Sequence, residues 1–163
     1  TKLMGESIIR TTSTQPYSLL RFGIVYGPRP IPGSAAESLA LKVHNGEEIR
    51  VGSVNTSRRF IYIDDLIEAI LKVVEFGPVS PGGTALNIAG PALISLEEVV
   101  KNVNEILGKF VSMIDGGATP SIRNPLIERA QSLIDWQPQT NFSTGILKCL
   151  KAMTDSVNDE KGN

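Results

Sequence analysis

Few side chains in this sequence have types and spacings that could do chemistry unaided. Asp64 and Asp65 stand side by side, a pairing that could hold a cation or share a proton. They also open an apolar helical stripe, where carboxylates cap the positive end of the helix dipole, and that is how they read. His44 is the only histidine and Cys149 the only cysteine, too few for a zinc site and unable to form an internal disulfide. Cys149 falls in an apolar stretch of the terminal helix and reads as an inert core thiol. His44 follows a helix stripe close to Gly46 and reads as an exposed or capping residue. Arg58 opens a β-rich run, and a guanidinium's rigid fork suits bidentate bonds to phosphate oxygens. Taken alone it is a surface arginine at a strand start, as Lys2 alone is a solvated helix lysine.

The elements that must position these groups alternate. Residues 2–12 suit a helix, with Leu3, Ile8 and Ile9 apolar. Tyr17–Tyr26 reads as one strand buried on both faces, as in a parallel sheet, and Gly27-Pro28 ends it. Ser34 and Glu37 form a capping box for a helix that carries Leu39 and Val43 and stops at Gly46. Ile49–Val51 and Phe60–Ile63 read as strands, and Asp64 or Asp65 caps the helix that follows. That helix places Leu66, Ile67, Ile70, Leu71 and Val74 on one stripe, with Glu68 and Lys72 paired opposite. Leu86–Ala89 is a short strand, Ser95 and Glu98 a second capping box, and Val111–Ile114 a further strand. Asn124-Pro125 reads as a cap and first helical residue, and Ser143 as the start of a terminal helix with Ile146, Leu147, Leu150 and Met153.

Strands alternating with helices over 163 residues indicate α/β with at least part of a parallel sheet. The net charge of −1 gives no footprint for nucleic acid, and no apolar run approaches the roughly 20 residues of a membrane span. No signal peptide is visible, so a cytoplasmic location is expected. No G-x-G-x-x-G follows a first strand, so the phosphate-binding turn of a dinucleotide fold is not in this sequence. The chain opens on Thr1 in mid-helix, which reads as a fragment of a longer protein.

Four segments in order resemble the extended short-chain dehydrogenase/reductase family, in its NAD-dependent epimerase/dehydratase branch. Thr1-Lys2-Leu3-Met4-Gly5-Glu6 is similar to the end of that family's Tyr-x-x-x-Lys helix. Leu20–Arg29 (LRFGIVYGPR) resembles its Arg-x-x-Asn-Val-Tyr-Gly-Pro-Arg strand and turn. Arg58–Asp65 (RRFIYIDD) resembles Arg-Asp-Phe-Ile-Tyr-Val-Asp-Asp, and Leu133–Pro138 (LIDWQP) resembles Leu-Gly-Trp-x-Pro.

The resemblance implies the C-terminal portion of a Rossmann-type doubly wound sheet plus a small α/β substrate-binding domain. Residues 1–27 would close the dinucleotide-binding domain. Residues 28–157 would be mostly substrate-binding, with 65–90 returning to the sheet and 158–163 a disordered tail. Lys2 would be the catalytic lysine that lowers a tyrosine's pKa and holds the nicotinamide ribose; its tyrosine partner would lie before Thr1. Phe22 and Gly23 would sit beside the nicotinamide. Arg58 would grip the substrate diphosphate, and Ile49, Arg50 and Val51 would line the nucleotide pocket. No metal is implied.

The resemblance also carries departures. Ile24 stands where the family has a diphosphate-binding Asn, Asp115–Thr119 replaces an Arg-Pro-Gly-Asp-like stretch, and Leu126 replaces an Asp. The leading expectation is the substrate-binding half of a nucleotide-sugar 4-epimerase that uses NAD or NADP when complete, as a homodimer or beside a missing N-terminal half. A superfamily reductase acting on a non-nucleotide carbonyl is the second, and a non-catalytic interaction module the third. The chain alone is expected to bind NAD(H) negligibly, to be inactive, and to self-associate, be partly disordered near its N terminus or take a partner chain.

Overall fold

The run expected as one strand over Tyr17–Tyr26 forms two, β1 (Ser18–Phe22) and β2 (Ile24–Tyr26), separated by Gly23. The computed structural model describes residues 1–77 and 83–160, with side chains through residue 155. β1 pairs in parallel with β5 (Thr84–Ile88), whereas β2 pairs in parallel with β4 (Ser57–Tyr62). The chain therefore changes partner at the glycine. A Cβ there would stand 2.6 Å from the Arg59 carbonyl oxygen and 3.0 Å from the Ala89 Cβ, closer than packed atoms approach. Burial on both faces is not what these strands show: Phe22 is 48% exposed, and of the eight strand residues Tyr26 alone is buried. The reason is the split, which leaves the Gly23 junction open to a cleft.

β4 is the central strand. Its C-terminal half carries β2; its N-terminal half is flanked by β6 (Leu93–Ser95), antiparallel, and by β8 (Ile122–Arg123), parallel. β3 (Ile49–Val51) and β7 (Met113–Asp115) form a separate parallel pair. Two of these, β6 and β8, are too short to leave a periodic signal in the sequence.

Both capping boxes form. Ser34 and Glu37 close the start of α2 (Ala35–Asn45), and Ser95 and Glu98 that of α4 (Leu96–Leu107). Each of these helices ends on a left-handed glycine, Gly46 at φ 74° and Gly108 at φ 61°. Together with α6 (Phe142–Glu160) they cover one apolar cluster that includes Tyr26, Val43, Ile49, Phe60, Val103 and Ile146. A second cluster, with Ile61, Leu66, Leu86, Ile88, Ile134 and Trp136, lies between the strands, α3 (Ile63–Phe76) and α5 (Glu128–Ile134). By contrast α1 (Lys2–Thr12) buries no residue, and Leu3, Met4 and Ile8 are exposed.

Local rules misplace three helix starts and one face. α3 begins at Ile63 with no side-chain cap; Asp65 turns inward instead. α5 starts at Glu128, because Asn124 is held by Arg59 rather than capping a helix. Asn141, not Ser143, accepts the Thr144 N–H at the head of α6. On α3 the stripe is divided: Leu66 and Ala69 are buried while Ile67, Leu71 and Val74 face outward. Lys72 donates to the Asp135 carbonyl rather than pairing with Glu68. α6 runs through Glu160, so the tail expected from residue 158 begins as helix; residues 161–163 lie outside the described residues. Among the described residues no helix is long and apolar enough to cross a membrane, and no cluster of metal-ligating side chains occurs.

Cys149 is 1% exposed, and burial pushes its thiol up to about 12. The reactive thiolate is therefore negligible at neutral pH. A disulfide reagent at pH 8 should leave the native chain unlabelled for hours and label it once in urea; rapid native labelling would show that α6 opens readily.

Candidate functional site

The partner change at Gly23 opens a cleft of about 460 Å³. Its walls are the β1–β2 junction (Arg21 to Ile24), the start of β4 (Arg58 and Arg59), Asn87 on β5, Arg123 at the end of β8, and Asn124 and Pro125 after it. Four of these residues are arginines and none is acidic, so the cleft is built for an anion.

Three of the four guanidinium groups are already engaged. Arg21 donates from Nε (2.8 Å) and Nη2 (2.5 Å) to the two oxygens of Glu6 on α1, and this bond holds the Glu6 carboxyl below its usual range. Arg59 donates from Nε to Asn124 Oδ1 at 2.6 Å and from Nη1 to the Gly90 carbonyl at 3.1 Å. Gly90 is required there, since a Cβ would collide with the Phe60 carbonyl. Arg58 donates from Nη1 to the carbonyls of Ser57 (2.8 Å) and Ser121 (2.5 Å), and from Nη2 to Ser121 Oγ (3.1 Å). The Arg123 side chain has no hydrogen-bond or ion-pair partner among the described residues. Asn87 closes the far wall by donating to the Leu126 carbonyl at 2.9 Å.

Of the residues expected from sequence, Phe22, Gly23 and Arg58 converge on this cleft. Lys2 does not line it; it sits exposed in the first turn of α1, the helix whose Glu6 accepts from Arg21 of the cleft. Nor do Ile49, Arg50 and Val51. Ile49 is fully buried in the core, Arg50 pairs with Glu48 at 2.7 Å, and the Val51 carbonyl accepts the Gly116 N–H at 2.9 Å. Gly23 has a packing duty of its own, set by the Arg59 carbonyl. Sequence reasoning missed Arg59, Asn87 and Arg123. The doubled Arg58-Arg59 was a visible signal; Arg123 was hidden in what read as a helix start.

Among the described residues the lining holds no tyrosine, histidine, cysteine or carboxylate, and the groups it does hold suit binding an anion. A larger groove of about 850 Å³ runs along α4, but it mixes Glu97, Glu105, Lys101 and Lys109 and collects none of the expected residues.

The NAD dependent epimerase/dehydratase family matches residues 1–89, more than half the chain. The chain is 32% identical over 149 residues to a dTDP-4-dehydro-6-deoxy-D-allose reductase of Streptomyces bikiniensis, covering 85% of this chain and 44% of that protein. It is 30% identical over 155 residues to the uncharacterized UDP-glucose epimerase YtcB of Bacillus subtilis, covering 90% and 48%. The chain thus spans less than half the length of these curated relatives. Among solved structures, UDP-glucuronic acid 4-epimerase from Bacillus cereus, in complex with UDP-glucuronic acid and NAD, matches with TM-score 0.82 and 23% identity over 95% of this chain and 51% of that one. RMD from Pseudomonas aeruginosa, complexed with NADPH, matches with TM-score 0.80 and 17% identity over 95% and 55%. The structural matches establish a mixed α/β fold of the Rossmann-like epimerase type. On the family match, the chain belongs to the NAD dependent epimerase/dehydratase family.

Proposed function

We propose that this chain supplies the substrate-binding half of an NAD(P)-dependent nucleotide-sugar enzyme whose reaction is 4-epimerisation. The observation that carries this is the carboxylate-free, arginine-lined cleft at the Gly23 junction, which suits a diphosphate. Relatives named for UDP- and dTDP-sugars support the substrate class.

The residues present fit part of a dinucleotide site. Phe22, half-exposed at the cleft, offers a flat apolar face for a planar ring to pack against. When bound, the cofactor supplies reversible oxidation at the sugar carbon. The chain's own share is to hold the anionic end of the substrate in the arginine cleft and to exclude bulk water with the Phe22 ring. Lys2, on exposed α1, is proposed to lower the pKa of a tyrosine supplied from outside these residues.

The test uses the full product of the gene that encodes these residues, incubated with NAD and with UDP-glucose or UDP-glucuronate. Inversion at C4, followed by proton NMR, is the expected result. Ile24 favours a second reading, because an aliphatic side chain lines the cleft where a diphosphate-binding amide would serve. Turnover of a non-nucleotide aldehyde with NADPH, and none of any nucleotide sugar, would replace the first reading with that one.

A further inference from the structure

We propose that the groove along α4 is where two copies of this chain meet, about a two-fold axis that sets their α4 helices antiparallel. The groove shares no residue with the arginine cleft, and its role is independent of the substrate bound there.

Charges of alternating sign run along the groove: Glu97, Lys101 and Glu105 on α4, then Lys109 just past the Gly108 cap. A spacing of four puts the three helical residues on one stripe. That spacing would let Glu97 pair with Lys101 and Glu105 with Lys109, yet among the described residues none of the four is in an ion pair. Lys109 donates instead to the His44 carbonyl, which leaves its charge uncancelled. The order minus, plus, minus, plus becomes its own complement when reversed. With the axis near Val103, Glu97 meets Lys109 of the second copy and Lys101 meets Glu105 of the second copy, each pair occurring twice. A parallel, in-register arrangement would set like charge against like.

The apolar groups fit the same register. Phe110 is 101% exposed, the most exposed large hydrophobic side chain among the described residues, and it lines the groove by the C-terminal end of α4. Half-buried Val54 lines it by the N-terminal end, where the Val54 carbonyl accepts the Glu97 N–H at 3.1 Å. Antiparallel pairing about Val103 carries the Phe110 ring of each copy to the Val54 end of the other. Both rings then leave water against a surface that also includes Val100 and Met113. A lone exposed phenylalanine is ordinary; one beside an apolar-floored groove whose charges complement themselves marks an interface between identical surfaces.

The experiment is sedimentation velocity on the full product of the gene that encodes these residues. Lys101→Glu and, separately, Glu105→Lys should each halve the mass of the wild-type assembly, because each reversal sets like charges face to face at both ends of the dyad. Both positions are exposed, so each variant should keep the wild-type circular dichroism. Mixed in equal amounts, the two variants should regain the wild-type mass, since every contact between positions 101 and 105 then joins opposite signs. The double reversal in one chain should regain it too. Phe110→Ala should weaken association at least about tenfold. If the single reversals leave the mass unchanged, or if the mixture stays at half mass, the two-fold pairing along α4 is overturned. A wild type that sediments as a monomer overturns it outright and leaves the groove to a different partner.

Discussion

Replacing Glu37 by Ala should cost the fold roughly 3–5 kcal/mol, the largest loss expected from any single polar change in this chain. Glu37 has no exposed surface, yet its carboxylate is fully partnered. Oε1 accepts from the Gly27 N–H at 3.0 Å and faces Arg29 Nε at 3.1 Å. Oε2 accepts from the N–H groups of Gly33 at 2.6 Å and Ser34 at 2.8 Å. One side chain therefore closes the whole loop from Gly27 to Ser34 onto the first turn of α2. Alanine would strand the buried Gly27 N–H, release the part-buried donors of Gly33 and Ser34, and leave the Arg29 charge without its partner. Glu37→Gln, which keeps the volume, should recover only part of the loss. Its amide nitrogen would face N–H groups where the second oxygen was an acceptor. Urea unfolding followed by far-UV circular dichroism reads the difference; a shift under about 1 kcal/mol would mean that water satisfies the loop unaided.

Glu37 also marks how far sequence patterns reach. The spacing of Ser34 and Glu37 announced a capping box, and the box forms. The pattern carried nothing about Gly27 or Arg29, because those partners come from the previous strand end rather than from the helix itself. The same division runs through the chain. Helices capped by their own residues and stopped by Gly46 or Gly108 were legible, since every determinant lies within a turn of the end. The β1–β2 break was not, because it is imposed by the Arg59 carbonyl and Ala89, dozens of residues away. Nor were β6 and β8, which exist only as ladders on β4.

At the cleft, Phe22, Gly23 and Arg58 were readable from family-like segments and do converge. Arg59, Asn87 and Arg123 were not, because their roles follow from which neighbour each guanidinium or amide meets after folding. The Asn124-Pro125 signal misled for that reason: the Arg59 guanidinium takes up the side chain that would have capped a helix.

Asp65→Ala should destabilise the chain by about 2–4 kcal/mol, lowering its melting temperature by roughly 5–15 °C. Adjacent carboxylates at a helix start look like caps, but Asp65 is 4% exposed and turns toward the segment after Trp136. Its Oδ1 accepts from the Gln139 N–H at 3.2 Å and the Thr140 hydroxyl at 3.1 Å, and its Oδ2 from the Thr140 N–H at 3.0 Å. Its backbone carbonyl accepts Trp136 Nε1–H at 3.1 Å. One residue thus ties the first turn of α3, directly after β4, to the connection between α5 and α6. Trp136 is the chain's only tryptophan and 2% exposed, so its fluorescence reports this junction directly. Asp65→Ala should shift the emission to the red under native conditions as the connection loosens and water reaches the indole. Asp65→Asn keeps one acceptor oxygen and should fall between wild type and alanine in both readouts. Trp136→Phe removes the bond to the backbone carbonyl together with the volume of the second indole ring, and leaves the carboxylate bonds in place, so it reads the burial of the indole separately from the carboxylate. If Asp65→Ala matches wild type in melting temperature and emission, the carboxylate is an ordinary helix-start charge. The junction would then be held by the burial of Trp136 alone.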